Sequence, residues 1–483
     1  MSDLAHNLIV LSDIHLGSDL VHHARPEAPA RGKKGERRDR DLVALLDFYR
    51  ARRQGRRPWR LVIAGDFVDF SGMSVSPSTG LDTEPTSEEL AHGLGGAPDH
   101  TLAKLHILMR HASPVMDALA AFLAAGHSVI VVRGNHDADW HWEPVQDAFR
   151  DELLRRAAFP PERLSFAPWF YYEEGFVYVE HGHQYDAFCS LDHVLHPVSP
   201  SDPRRTARSL ADILLRYVVR PTRGLGEAGH SAASMLDYLR FAARLGAPGM
   251  LSLARRFFFA TRALVALWSE QFSASALRVR KEHERRMRRL SRLQRIGIGR
   301  LRRLARLQRA PLTRSLPALL AGVMLDRVAT GVLALFASAA VLSLAPSPAI
   351  AWSGVAAVLV LAVVLAVLWR RMRGSLEPSA ELRERSARLA RLFPAAFIVM
   401  GHTHLPETRA SDSSTYVNLG AWAEDEAPEG FEQDLPATRT HLVVTRGAER
   451  PVAELLAWGD SGPVPYGDSP ASSRVIRLLE PGA

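Results

Sequence analysis

One cysteine, Cys189, occurs in 483 residues. An intrachain disulfide is therefore excluded, a thiolate-rich structural zinc site is excluded with it, and a reducing compartment is the expected setting. No tandem repeat is present, which removes solenoid architectures. The opening MSDLAHNLIVLSD lacks a basic n-region, a long apolar h-region and a small-residue cleavage site, so it reads as the approach to a strand and not as a signal peptide. An acidic excess is also missing: 60 Lys and Arg face 52 Asp and Glu, a formal net charge of +8. That balance points to an anionic partner, whether nucleic acid, a phosphorylated substrate or an anionic membrane surface. The length suggests two or three structural units.

Short apolar runs that end in polar clusters stand out. LVIAGDFVD (61–69) reads as a buried strand stopped by Gly65, with Asp66 at its carboxyl end, where open α/β sheets place their chemistry. The same grammar recurs in LIVLSDIH (8–15), delivering Asp13 and His15, and in SVIVVRGNHD (128–137), delivering Asn135, His136 and Asp137. FVYVEHGH (176–183) delivers His181 and His183, and AFIVMGHTH (396–404) delivers His402 and His404. One such cluster is ordinary; five in one chain imply a shared site.

Between them, Asp39–Gly55 and Leu102–Ala125 read as helices, the second bent at Pro114, giving the alternation of a layered α/β domain. Val21–Arg38, the Ser/Pro/Gly-rich stretch to Asp99, and 424–436 read as loops. From about His196 the character changes. Residues 205–275 read as helical, and Arg280–Arg309 carries Arg at nearly every second position beside a stripe of Met287, Leu290, Leu293, Leu301, Leu304 and Leu307. Such a helix suits either a core-facing seam or an anionic bilayer surface. Two apolar runs follow, 328–345 and 349–369, with Pro346-Ser347-Pro348 between them. At about 1.5 Å rise per residue each approaches the roughly 30 Å of bilayer hydrocarbon. Arginines flank both outer ends, as expected on a cytoplasmic side. The expectation is a transmembrane helical hairpin in the cytoplasmic (inner) membrane, multi-pass, with the rest of the chain facing the cytoplasm. After it, Ser379–Leu392 reads as a helix, and STYVNLGAW (414–422) and THLVVTRG (440–447) as strands. The organisation expected is an α/β domain formed by 1–195 and 385–460, interrupted by a helical insertion at 196–384 and followed by a tail at 461–483.

Asp13, His15, Asp66, Asn135, His181, His402 and His404 form the candidate ligand set. Carboxylate, amide and imidazole donors suit Mn²⁺, Fe or Zn²⁺. Seven donors exceed one such ion and suit two, with a shared carboxylate.

D-x-H (13–15), G-D-x-x-D (65–69), G-N-H-D (134–137), H-G-H (181–183) and G-H-T-H (401–404), in this order, resemble the calcineurin-like metallophosphoesterases over about 1–190 and 390–450. The resemblance implies a four-layer αββα sandwich with a dinuclear site at the strand ends. It gives one metal Asp13, His15, Asp66 and His404, and the other Asp66, Asn135, His181 and His402, with Asp66 as the bridge. It also gives His136 contact with the phosphate or protonation of the leaving group, and Asp137 the task of orienting that ring. Two ions, Mn²⁺ first, would acidify a bridging water for in-line attack on phosphorus. Asp69 is expected to anchor its loop, Asn418 to be structural, and Arg133 to reach phosphate or form a structural ion pair. His183 is left open between a supporting or substrate group and a surface histidine. The chain is also similar to bacterial UDP-2,3-diacylglucosamine diphosphatases, which insert helices at the same place, but it departs from them in having His136 where they have Arg. These readings lead to a membrane-anchored phosphodiester or pyrophosphate hydrolase acting on a lipid-linked or nucleotide-linked substrate. A nuclease or nucleotide phosphodiesterase using the basic helix ranks second, and a non-catalytic membrane scaffold third.

Overall fold

The computed structural model describes residues 6–20, 33–77, 80–222, 246–322, 325–373, 378–411, 413–423 and 437–469. The loop expected at 424–436, the first part of that at 21–38, the helical reading of 223–245 and the tail beyond 469 lie outside the described residues.

Twelve strands are described: β1 Asn7–Leu11, β2 Trp59–Ala64, β3 Ser128–Val132, β4 Leu164–Ala167, β5 Phe170–Glu173, β6 Val177–Glu180, β7 Phe397–Met400, β8 Glu407–Ala410, β9 Thr415–Asn418, β10 Thr440–Arg446, β11 Pro451–Gly459 and β12 Gly462–Pro465. They form a seven-stranded sheet, ordered β12-β11-β10-β1-β2-β3-β4, and a five-stranded sheet, ordered β5-β6-β7-β9-β8. In the first, β1, β2 and β3 run parallel, with Ile9 opposite Leu61 and Leu61 opposite Val129. In the second, β6, β7 and β9 run parallel, with Val179 opposite Val399 and Val399 opposite Val417. Parallel strands put all their carboxyl ends on one edge of each sheet, and the motif residues leave from those edges.

Alternation within the strands sets the layers. Leu8, Val10, Val62, Ala64 and Val132 from the first sheet meet Val177, Val179, Val399 and Val417 from the second in one apolar layer. The opposite-facing Ile9, Leu61, Ile63, Val129 and Val131 pack beneath helices Lys33–Ala51, Pro98–His111, Ser113–Ala124 and Glu143–Arg156. The pair Pro98–His111 and Ser113–Ala124 bends by 88°, because Pro114 cannot donate the hydrogen bond an uninterrupted helix would need there.

The outer face of the second sheet is covered from the insertion. Met287, Leu290, Ile296, Leu301 and Leu304 join Leu382, Leu389 and Phe393 against Tyr178, Ile398 and Met400. Two expectations change here. The stripe in Arg280–Arg309 is a core seam on helices Ala274–Leu293 and Ile298–Leu307, although Leu293 stays exposed, so its apolar side is not open to a bilayer. Helix Pro378–Leu392 crosses the boundary drawn at 384/385, because it belongs to the sandwich's outer layer. At the other end β12 pairs with β11, so ordered strand continues past 460. β4, β5, β8, β11 and β12 lie outside the strands expected from the sequence; β4 and β5 are only four residues long, and Glu, Arg and Pro within the other three hide the period-two pattern.

The two apolar runs form helices Leu325–Leu344 and Pro348–Arg373, packed side by side. Gly354 sits so close to the first arm that a Cβ there would lie 2.6 Å from Val341 Cγ1. Among the described residues one helix, Pro348–Leu368, is long and apolar enough to cross a membrane, with a mean hydropathy of 2.7 and almost all of its apolar stretch exposed. The apolar part of the first arm, Leu333–Leu344, is shorter, so the second span of the expected hairpin is not established by length and composition.

Candidate metal centre

Each motif residue is placed by a strand that stops abruptly. Eight described non-glycine residues have a left-handed backbone, and five are motif residues: Asp13 (φ 54°), His15 (49°), Asp66 (51°), His402 (70°) and His404 (59°). This conformation costs an L-residue roughly 1–2 kcal/mol, and its clustering marks a site the rest of the fold holds in place. Two glycines make the approach possible. Gly65 has φ +86°, and a Cβ there would stand 2.5 Å from the His181 ring; one on Gly134 would stand 2.1 Å from Asp66 Oδ1.

The two sheets bring their side chains together across the sandwich edge. His404 Nε2 lies 3.1 Å from Asp13 Oδ1, and His15 Nε2 lies 3.9 Å from the same atom and 3.7 Å from Asp66 Oδ2. His181 Nε2 is 3.1 Å from Asp66 Oδ2 and 3.0 Å from Asn135 Oδ1. Asp13 Oδ2 accepts the backbone N–H of His402 at 3.0 Å, and Asp66 Oδ1 that of His136 at 2.9 Å. One oxygen of each carboxylate is thus tethered to backbone while the other faces the imidazoles. The donor atoms of Asp13, His15 and His404, and those of Asp13, Asp66 and His181, lie within 4.8 Å of one another.

These residues fit a metal on a specific observation. Asp13 Oδ1 and His15 Nε2 are buried and neither makes a well-formed hydrogen bond, Asp13 Oδ1 having only the ion-pair contact with His404 Nε2 at 3.1 Å. Buried polar atoms so poorly satisfied are costly, and a cation between them would satisfy both. Burial alone would raise both carboxyls, yet the imidazoles, His181 foremost, outweigh it and hold Asp13 and Asp66 well below the usual carboxylate range. The converse holds for His181, which burial would lower but Asp66 and Asp13 push up to about 9. Concentrated negative charge calling for positive charge is the electrostatic signature of a cation site, and cation binding there would release a proton.

His402 is brought alongside, its ring 5.2 Å from that of His181, but its Nε2 is engaged by Asp186 Oδ2 at 3.0 Å. Sequence reasoning missed Asp186, which carries no motif signal and reaches the site only because the chain turns after His183. His136 stands at the rim with its ring 4.7 Å from that of His15. The task given to Asp137 is corrected: Asp69 Oδ1, at 2.8 Å from His136 Nδ1, holds that ring. Asp137 instead accepts the backbone N–H groups of Phe67 (2.9 Å) and Gly134 (2.6 Å), tying two motif loops together. Burial and then Asp66 push its carboxyl up to about 7. The spacing in G-D-x-x-D contained the signal for Asp69, which also anchors its loop through the Gly72 N–H at 2.8 Å.

His183 is buried, which removes the surface alternative; its Nε2 meets Gln184 at 2.9 Å, and its Nδ1 is a buried orphan. Arg133 donates to the carbonyls of Pro168 and Val194, so it is structural but not through the ion pair expected. Asn418 Nδ2 donates to the Gly401 carbonyl at 2.8 Å, a structural role as expected.

Comparison with known proteins adds three findings. The family model described as calcineurin-like phosphoesterase matches residues 6–217. No curated protein matches the sequence. Among solved structures, phosphopantetheinyl hydrolase (PptH) from Mycobacterium tuberculosis is similar at 13% identity, covering 89% of this chain and 99% of its own, with a TM-score of 0.24; at that score the likeness carries no argument.

Proposed function

On the premise that this chain is a hydrolase of phosphoester bonds, with a calcineurin-like phosphoesterase domain matched over residues 6–217, we propose that it cleaves a phosphodiester or pyrophosphate bond in a lipid-linked or nucleotide-linked substrate at a membrane. The observation that carries the reading is the convergence of Asp13, His15, Asp66, Asn135, His181 and His404 from both sheets on two buried atoms that lack a well-formed hydrogen bond. Asp13, His15, Asp66 and His404 would hold one divalent ion, and Asp66, Asn135, His181 and His402 a second, with Mn²⁺ the first choice and Fe or Zn²⁺ alternatives. When bound, the pair supplies Lewis acidity and an acidified water. The chain's own residues then do the rest. Asp13 and Asp66 keep their charge because imidazoles surround them. With Nδ1 held by Asp69, proton delivery from His136 to the leaving oxygen falls to Nε2, a role worth about 10²–10⁴-fold.

Membrane attachment by the hairpin 328–345 and 349–369 is supported by the exposed apolar surface of Pro348–Leu368, and the arginines at both outer ends are the charge bias expected of a catalytic domain on the cytoplasmic side. The test is a Mn²⁺-supplemented hydrolysis panel in detergent, comparing monoester, diester, nucleotide and lipid-pyrophosphate substrates, with Asp66→Ala as control. Turnover that survives both chelation and Asp66→Ala would refute the proposed centre. A nuclease is the second reading, favoured by the exposed Arg285, Arg288, Arg289, Arg292, Arg302, Arg303 and Arg306 beside the site's outer layer. Nucleic-acid cleavage with a steep salt dependence would promote it over the first.

A further inference from the structure

The helix Gly246–Glu270 has two apolar stripes, and the described residues cover only one. Ala260 and Leu264, flanked by Leu253, Phe257 and Leu267, pack against Leu210, Ile213, Val218 and Val219. The other stripe, Leu251, Arg255, Phe258, Arg262 and Val265, follows a spacing of three and four residues and faces outward. Leu251 is 74% exposed and Phe258 65%; Phe259 is exposed beside them with the Arg255 guanidinium 5.6 Å over its ring, and Phe272 just past the helix is 70% exposed. The helix contains one acidic residue, Glu270, which is engaged by Ser199 and Ser201. A helix apolar on opposite sides is normally covered on both. Aromatic and aliphatic groups interleaved with arginines are the composition of a helix lying in the headgroup region of an anionic bilayer.

Its position agrees. The short helix Leu316–Gly322 packs through Ala318 and Leu319 on the covered side of this helix and also lies against both arms of the hairpin, which sets the helix beside the hairpin's base. Its inner stripe rests on a cluster that includes Ala187 and Phe188, next to Asp186 on His402, and Val219, next to Arg220, whose Nη2 lies 3.3 Å from Asp69 Oδ2.

We propose that the face formed by Leu251, Phe258, Phe259, Val265 and Phe272 lies in the interface of an anionic bilayer, beside the hairpin, and sets the metal centre at the membrane surface. The inference rests on the membrane attachment proposed above, and its test separates the two. The full chain, with Cys189→Ser as background, carries a single environment-sensitive label at Phe258→Cys or at Leu361→Cys in nanodiscs, with or without anionic lipid. A lipid-borne quencher and an aqueous quencher are then compared. Both labels quenched from the lipid, with the Phe258→Cys label gaining at least about twofold protection from the aqueous quencher when anionic lipid is present, is the expected result. A Phe258→Cys label open to water while the Leu361→Cys label is lipid-quenched overturns the interfacial face and leaves the hairpin intact. A Phe258→Cys label hidden from both quenchers overturns it in favour of a protein contact, such as a second copy of this chain. Both labels open to water overturns the membrane reading itself.

Discussion

Leu61–Ala64 in β2 and the apolar middle of Pro348–Arg373 are similar in composition and treated oppositely by the molecule. The strand is buried on both faces, under helices on one side and against the second sheet on the other. The helix is covered along one side by its partner arm, and Leu359, Val360, Leu361 and Val363 remain exposed. The difference is one of geometry. A six-residue strand fits within the thickness of two packed layers, whereas 21 largely apolar residues in a helix span about 30 Å, and only the side facing its partner arm is covered. One region is therefore completed by the protein itself, and the other is left largely exposed among the described residues.

That contrast is open to attack from both sides, and the largest effects fall on the sandwich. Asp66→Ala should lower hydrolysis by about 10³-fold or more, since one carboxylate is asked to serve two ions; metal content by elemental analysis should fall with it, and chelation of the unaltered protein should give a comparable loss that Mn²⁺ restores. His136→Ala should cost about 10²–10⁴-fold in kcat with little change in KM. The corrected partnership sharpens this. Asp69→Asn should lower kcat by about 10–100-fold, as expected of a group that orients an active side chain. Asp137→Asn should act chiefly on the melting temperature, because it weakens the ties to Phe67 and Gly134; a larger loss of kcat from Asp137→Asn than from Asp69→Asn would reverse the assignment.

The insertion answers to a smaller lever. Leu361→Arg places a charge near the middle of the candidate span, which costs about 3 kcal/mol on insertion scales. It should shift the protein from the membrane fraction toward the soluble one while leaving activity in detergent unchanged. An unaltered membrane fraction would mean that the hairpin is not the anchor.

Acid should affect both regions. His127 and His441 in the sandwich and His283 in the insertion are buried, and burial lowers them to about 4, about 3 and about 4. Their unfolded value is near 6.5, so the unfolded chain binds more protons below that pH and the folded state loses ground as pH falls from 6.5 toward 4. Each contributes up to about 1.4 kcal/mol per pH unit in that window. The melting temperature should drop steeply between pH 6.5 and 4.5, and replacing His441 with Gln should flatten the slope. An unchanged slope would show that these rings are hydrated in solution.

Much of the site was legible because its chemistry sits at strand ends. Five apolar runs each carry their donors two to four residues after the last apolar residue of the run, so Asp13, Asp66, Asn135, His181 and His404 could be grouped before any contact was known. Asp186 and the Asp69–His136 pair were not legible in the same way. Asp186 meets His402 across 216 positions of chain, and Asp69 meets His136 across 67. Neither distance leaves a local periodic trace. The stripe at 287–304 was legible as a stripe, but nothing in its spacing distinguishes a sheet from a lipid surface as the thing it packs against.

The chain alone therefore determined which atoms are available for chemistry, since donor type and position after a strand are local properties, and it determined that one helix is long and apolar enough to cross a membrane. Only the tertiary structure decided which carboxylate holds which imidazole, that Asp13 Oδ1 and His15 Nε2 are buried without a well-formed hydrogen bond, and that the insertion supplies the sandwich's outer layer. Those are matters of distance between segments far apart along the chain, and burial and Coulomb energy depend on that distance and not on order in the sequence.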